Sequence, residues 1–398
     1  MHLRFLKFAI VAAMAFLPLE PITGSASGQS LLPCTGGAGA PPPDRWTIQS
    51  SANVGTGPNE LAGVTSVSVS NAWAVGDYAD TTAGGVRRTL VEHWDGTTWS
   101  VVASPNVGTG DNVLSGVSRS SPTNVWAVGS YTDPVTGVDL ALVEHWNGTD
   151  WSVVASVSPG TAHNFLDGVA ATSATNVWAV GAYDSAGGVR HTLIEHWNGI
   201  AWSVVPSPNV GSSHNWLSAI VAVSASNLWA VGGHDNSSGV ARTLIEHWNG
   251  TKWSVVSSPN PRTGGNFLFG VGRVSASNVW AVGTSFGPGG LAHTLTEHWN
   301  GTKWSVVSSP NPGTAYNVLA GVAGSSTNPL RTVGGYGNVG RPGRTFIARW
   351  NGSGWTRVTS PNAGSSFNFL YGIANIPGTT GAWAVGIGSG KTLIEHTC

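Results

Sequence analysis

The sequence predicts an all-β chain: a seven-bladed β-propeller whose blades are four-stranded antiparallel sheets. Three observations carry this. Close copies of one segment, clearest as Thr243 to Asn260, recur at a spacing of about 51 residues. Each copy holds short stretches rich in Val, Trp, Leu and Ile, bounded by Gly, Asn, Ser or Pro, with no sustained helical period. The last copy lacks a final stretch that the beginning of the repeat region can supply. Four strands in a repeat of roughly 40–50 residues is the pattern of a propeller blade.

Strand a is the N-x-L-x-G-V stretch, as in Asn112 to Val117. Strand b is the WAVG core, as in Asn124 to Gly129, with its Trp at 73, 126, 178, 229, 280 and 383 and Arg331 in the sixth copy. Strand c ends in an EHW triplet, as in Thr192 to Trp197, degraded to Ala348-Arg349-Trp350 in copy six. Strand d is WSVV, as in Trp253 to Val256. The link from c to d is Asn-Gly in five copies and Asp95-Gly96 in the first, dipeptides that suit the positive φ of a tight hairpin. Copy seven stops at Thr397-Cys398 without a strand d. Trp46-Thr47-Ile48-Gln49 matches the missing segment, so the N-terminal strand should pair with Lys391 to His396 and close the ring.

At Val231-Gly232-Gly233, followed by Glu246-His247-Trp248 and Trp253, the chain resembles the kelch family of propellers. The resemblance runs loosely over residues 46–398, with the Gly doublet intact only at Gly232-Gly233 and Gly334-Gly335. It implies a fold shared by binding proteins and enzymes, so it speaks to architecture more than to function.

Residues 1–26 resemble a signal peptide: Arg4 and Lys7 start it, Phe8 to Leu19 is apolar, and Gly24-Ser25-Ala26 offers small residues for cleavage. The apolar run is short for a membrane span, so a secreted or cell-surface protein with no span after cleavage is expected. Residues 27–45 read as a Gly/Pro/Ser-rich linker and 46–398 as the propeller. The two cysteines, Cys34 and Cys398, flank the first and last strands of one blade, and an exported protein permits a disulfide between them.

Charged residues make up 9% of the chain, the net charge is −1 and Lys occurs four times, which argues against nucleic-acid binding. No cofactor or metal is expected, because no zinc spacing such as HExxH appears. No carboxylate pair stands apart from the repeat, as a glycosidase would need. The six Glu-His pairs of strand c, Glu92-His93 among them, spread around a ring and cannot converge on one substrate, so they read as architecture.

Two rows of the repeat vary. The position just before strand c is Arg88, Leu140, His191, Arg242, His293, Arg344 and Lys391, either a polar collar or a repeated local contact. The position before the strand-a Asn is Pro58, Asp111, His163, His214, Gly265, Tyr316 and Phe367, and Trp216 is the one Trp off the template. Both rows belong to the face carrying the d–a and b–c loops, where binding residues collect. His163, His214, Trp216, Tyr316 and Phe367 are expected to stack on and hydrogen-bond a ligand there, with Arg242, His293 and Arg344 as the collar. The expected partner is a glycan or an extracellular protein. Alternatives are a carbohydrate-active hydrolase or lyase using Asp111, His163, Asp167 and His214, and a purely structural or adhesive surface protein. Copy six, with five of the fourteen Arg, reads as drift rather than as an anion or partner contact.

Overall fold

The structure is a computed structural model and describes residues 44–397. Cys34 and Cys398 lie outside the described residues, as does the signal-peptide segment. Seven four-stranded antiparallel sheets form the ring. Blade one comprises Asn59–Ser68, Asn71–Asp80, Val86–Trp94 and Trp99–Val102, and five more follow the same order. In blade seven, Asn368–Asn375, Ala382–Gly388 and Lys391–Thr397 are completed by Thr47–Gln49. Thr47 faces His396, Ile48 faces Glu395 and Gln49 faces Ile394, the closure the repeats predict. Among the described residues, no helix is long and apolar enough to cross a membrane.

Aromatic rings hold neighbouring blades together. Trp73 lies 4.2 Å from His93 of its own blade and 4.7 and 5.4 Å from Trp146 and Trp151 of the next. The cluster repeats around the ring, and Trp383 carries it across the closure onto Trp94 and Trp99. A polar staple runs beside it. Ser104 Oγ donates to Glu144 of the next strand c at 2.6 Å and lies 3.1 Å from the Thr89 hydroxyl of its own. Equivalent serines reach Glu92, Glu195, Glu246, Glu297 and Glu395. All six carboxyls are buried, which is tolerable because each meets a hydrogen bond. Burial pushes them up to about 7 or 8.

Two arginines of the sixth copy, Arg331 and Arg349, face one carboxylate. Arg331 occupies the Trp slot at the seam between blades six and seven, with no exposed surface. Its Nη2 donates to Asp44 at 2.6 Å and to the Thr380 carbonyl at 3.0 Å, and its guanidinium lies 6.0 Å from the Trp46 ring. Arg349, in the strand-c His slot, stands 3.5 Å from the same carboxylate. Asp44, in the segment read as linker, thus joins the seam. The departure from the repeat answers the one place where the next strand d comes from the other end of the chain.

Candidate functional site

The strand-a Asn builds the loop face. Asn112, fully buried, accepts from Val107 N–H at 2.7 Å and donates to the carbonyls of Val107 and Gly110 at 3.1 and 2.9 Å. The same clamp recurs at the other strand-a asparagines, for example Asn59, Asn215 and Asn317. Each d–a loop is therefore tied to its own blade, and residues the clamp does not use are free to differ.

They differ most over blades three to five, where a cleft of about 690 Å³ opens. Arg190 and Asp184 form one wall as a bidentate pair, Nε–Oδ1 2.8 Å and Nη2–Oδ2 3.0 Å. The Arg190 guanidinium also lies 5.1 Å from the Phe165 ring, and its backbone N–H donates to His214 Nδ1 at 3.1 Å. The blade-five end is aromatic: Trp216 stacks on Phe267 at 6.2 Å, and Phe286 meets Phe267 edge-on at 5.9 Å. Gly264 and Gly265 line the far side, with Asp235 and Val240 on the near side. Trp216 Nε1 is buried without a hydrogen-bond partner. Burial raises the Asp235 carboxyl. Burial also pushes Asp184 up, but the hydrogen bond and charge of Arg190 outweigh it and hold Asp184 below its ordinary value.

The cleft gathers two of the eight predicted residues, His214 and Trp216. His163 stands outside it, with Nδ1 2.9 Å from Asp139. Tyr316 is 2% exposed, packed with Phe367 and Phe369 under blades six and seven. Trp216 itself is only 5% exposed. Three of the seven collar residues make a repeated local contact: Arg88, Arg242 and Lys391 donate to the carbonyls of Gly110, Gly264 and Gly57, the same loop position of the following blade. Burial and the Arg262 charge lower the His293 imidazole, and Arg344 is exposed. Of the residues offered for catalysis, Asp167 lines the central channel while His214 lines the cleft, so the two serve different cavities.

Sequence reasoning missed Asp184, Arg190, Asp235, Phe267 and Phe286. Arg190 sits one residue before the collar row, and on a strand one residue is the difference between opposite faces. Asp184 and Asp235 could have been found from their row at the end of strand b, where copies one and two have Ala79 and Thr132.

No protein-family model matches the chain, and no curated protein matches it. The kelch resemblance thus gains no support, and the structure gives the doublets a local cause. A Cβ at Gly233 would run into the Trp216 ring, and one at Gly335 into the Phe369 ring. Among solved structures, "YCF48 bound to D1 peptide" is similar at 14% identity, covering 88% of this chain and 96% of that one, with a TM-score of 0.53. That likeness concerns the fold alone.

Proposed function

We propose that the chain is an exported interaction module that takes a segment of a protein partner into the cleft over blades three to five. One observation carries the reading. The cleft is of ligand size, and it is lined by Arg190, Asp184, His214, Trp216 and Phe286, none of which the repeat requires. A peptide suits it better than a glycan. Stacking on sugars needs presented ring faces, and Trp216 and Tyr316 are almost wholly covered. The half-buried Phe267 and Phe286, beside the bare backbone of Gly264 and Gly265, offer an apolar side-chain slot with hydrogen-bonding groups at its rim. The YCF48 neighbour is bound to a peptide, so a ring of this kind can hold one. Export rests on the basic, apolar and small-residue pattern of residues 1–26.

The test is selection from a random-peptide display library in parallel with a glycan array. Selected peptides should lose binding to Val240→Trp, which fills the cleft, and keep it with Thr251→Ala on the hairpin face. A glycan that binds the parent protein and fails on Val240→Trp would overturn the peptide reading.

A second reading has one observation behind it. Asp184 and Asp235 line the same cleft with their acidities pushed in opposite directions, the pattern of a base and an acid in glycoside hydrolysis. Turnover of chromogenic glycosides that Asp235→Asn abolishes would establish it.

A further inference from the structure

The low net charge conceals a separation of charge around the ring. Residues 44–235 carry five Lys and Arg against fifteen Asp and Glu, a difference of −10. Residues 236–397 carry eleven against three, a difference of +8, and those three are the buried Glu246, Glu297 and Glu395. The loop face follows this division. On blades one to three Arg87 is paired with Glu60 and Asp77 and Arg190 with Asp184, and Asp80, Asp111 and Asp133 add further negative charge. On blades five to seven the loops present Arg262, Arg341, Arg344 and Lys391 and no carboxylate, and blade four adds Arg242 beside Asp235. Among the described residues, none of these five cations has a carboxylate within 4.0 Å. Arg341 and Arg344 are exposed.

We propose that this face docks a protein segment whose charge changes sign along its length, its acidic stretch lying over the basic arc of blades five to seven. The inference rests on the interaction-module reading and names its partner class. An unneutralised arc of cations attracts anions and accelerates encounter with them. A repeating polyanion, such as a sulfated glycan or a nucleic acid, meets Asp80, Asp111, Asp133 and Asp235 as soon as it extends beyond that arc, and is repelled. A polypeptide can place unlike charges at its two ends. The cleft lies between the two arcs, with Asp184 and Asp235 on one side and Phe267 and Phe286 on the other, so a segment seated in it reaches both.

The experiment uses two synthetic peptides of identical composition. Both have a central Leu-Phe pair. One carries an acidic block before it and a basic block after it, and the other has the same charges alternated. Fluorescence anisotropy with the mature protein reads binding at low and high salt. The blocked peptide should bind at least about tenfold more tightly than the alternated one, and R341E/R344E should erase that advantage, as should high salt. Val240→Trp should weaken both peptides. If Val240→Trp weakens both but charge order makes no difference, this inference fails while the interaction-module reading stands. If neither variant matters, both fail. Two further results overturn the docking proposal: a heparin fragment that binds more tightly than the blocked peptide, or a dimer in analytical ultracentrifugation that R341E/R344E dissociates.

Discussion

Arg331 and Asp44 meet at 2.6 Å across 287 residues of chain, inside the seam that closes the ring. The arginine is fully buried and the aspartate 5% exposed. Removing one partner of such a pair leaves a charge stranded in the interior. Asp44→Ala should therefore cost about 3–5 kcal/mol in urea unfolding. Combining it with Arg331→Trp, the residue the other copies carry, should recover part of the loss. Equal stability of the parent and the Asp44→Ala protein would remove the pair from the closure.

The strand-c carboxyls make stability depend on pH. In the unfolded chain they titrate near 4.5, and burial in the ring raises Glu92 and Glu195 to about 7 and Glu144, Glu246, Glu297 and Glu395 to about 8. Between these values the folded protein holds protons that the unfolded chain has released. Their contribution is thus present below 4.5 and lost as pH rises through the folded values. The strand-c histidines, lowered by burial from 6.5, oppose this, but only below 6.5. Above that value the glutamates act alone, so the urea midpoint should fall steadily from pH 6.5 to about pH 9. Glu144→Gln should flatten the slope.

The serine staple contains its own control. Ser207 Oγ donates to Glu246 at 2.9 Å and lies 2.8 Å from the Thr192 hydroxyl. Ser207→Ala should cost about 1–3 kcal/mol, because a buried carboxyl loses its donor. Ser309 keeps only the threonine contact, Thr294 at 2.8 Å, since Ala348 stands in the Glu slot of the next blade. Ser309→Ala should cost nearer 1 kcal/mol. Equal losses at the two sites, measured by thermal or urea unfolding, would show that the carboxylate bond is unimportant.

Gly233 is bare because the Trp216 ring covers it. Gly233→Ala should destabilise by about 1–3 kcal/mol through overpacking. Adding Trp216→Val, the residue type of Val113 and Val318 in the same slot, should relieve that clash. A double-mutant cycle with no coupling between positions 233 and 216 would refute the explanation of the doublet.

The blades, their register and the closing strand were legible because each feature recurs: alternation, hairpin dipeptides and Trp spacing repeat copy after copy. The role of Arg331 was not legible for the same reason. A single departure carries no period, and its partner Asp44 lies outside the repeat. Which of two neighbouring rows faces the cleft was not legible, because strands alternate: Arg242 turns toward the next loop's carbonyls, while Arg190, one residue out of that row, lines the cleft. The cleft itself depends on a third dimension, since Asp184, Trp216 and Phe286 come from three different blades.

The buried strand-a asparagine has a consequence for engineering. Because Asn112 ties Val107 and Gly110 to its own blade while Arg88 of the preceding blade holds the Gly110 carbonyl, the short stretch between them is pinned at both ends. Seven such loops stand side by side on one rim, and substitutions between their pinned ends should leave the tryptophan lattice beneath intact in thermal unfolding. The ring thus offers a display platform whose specificity can be rewritten one blade at a time.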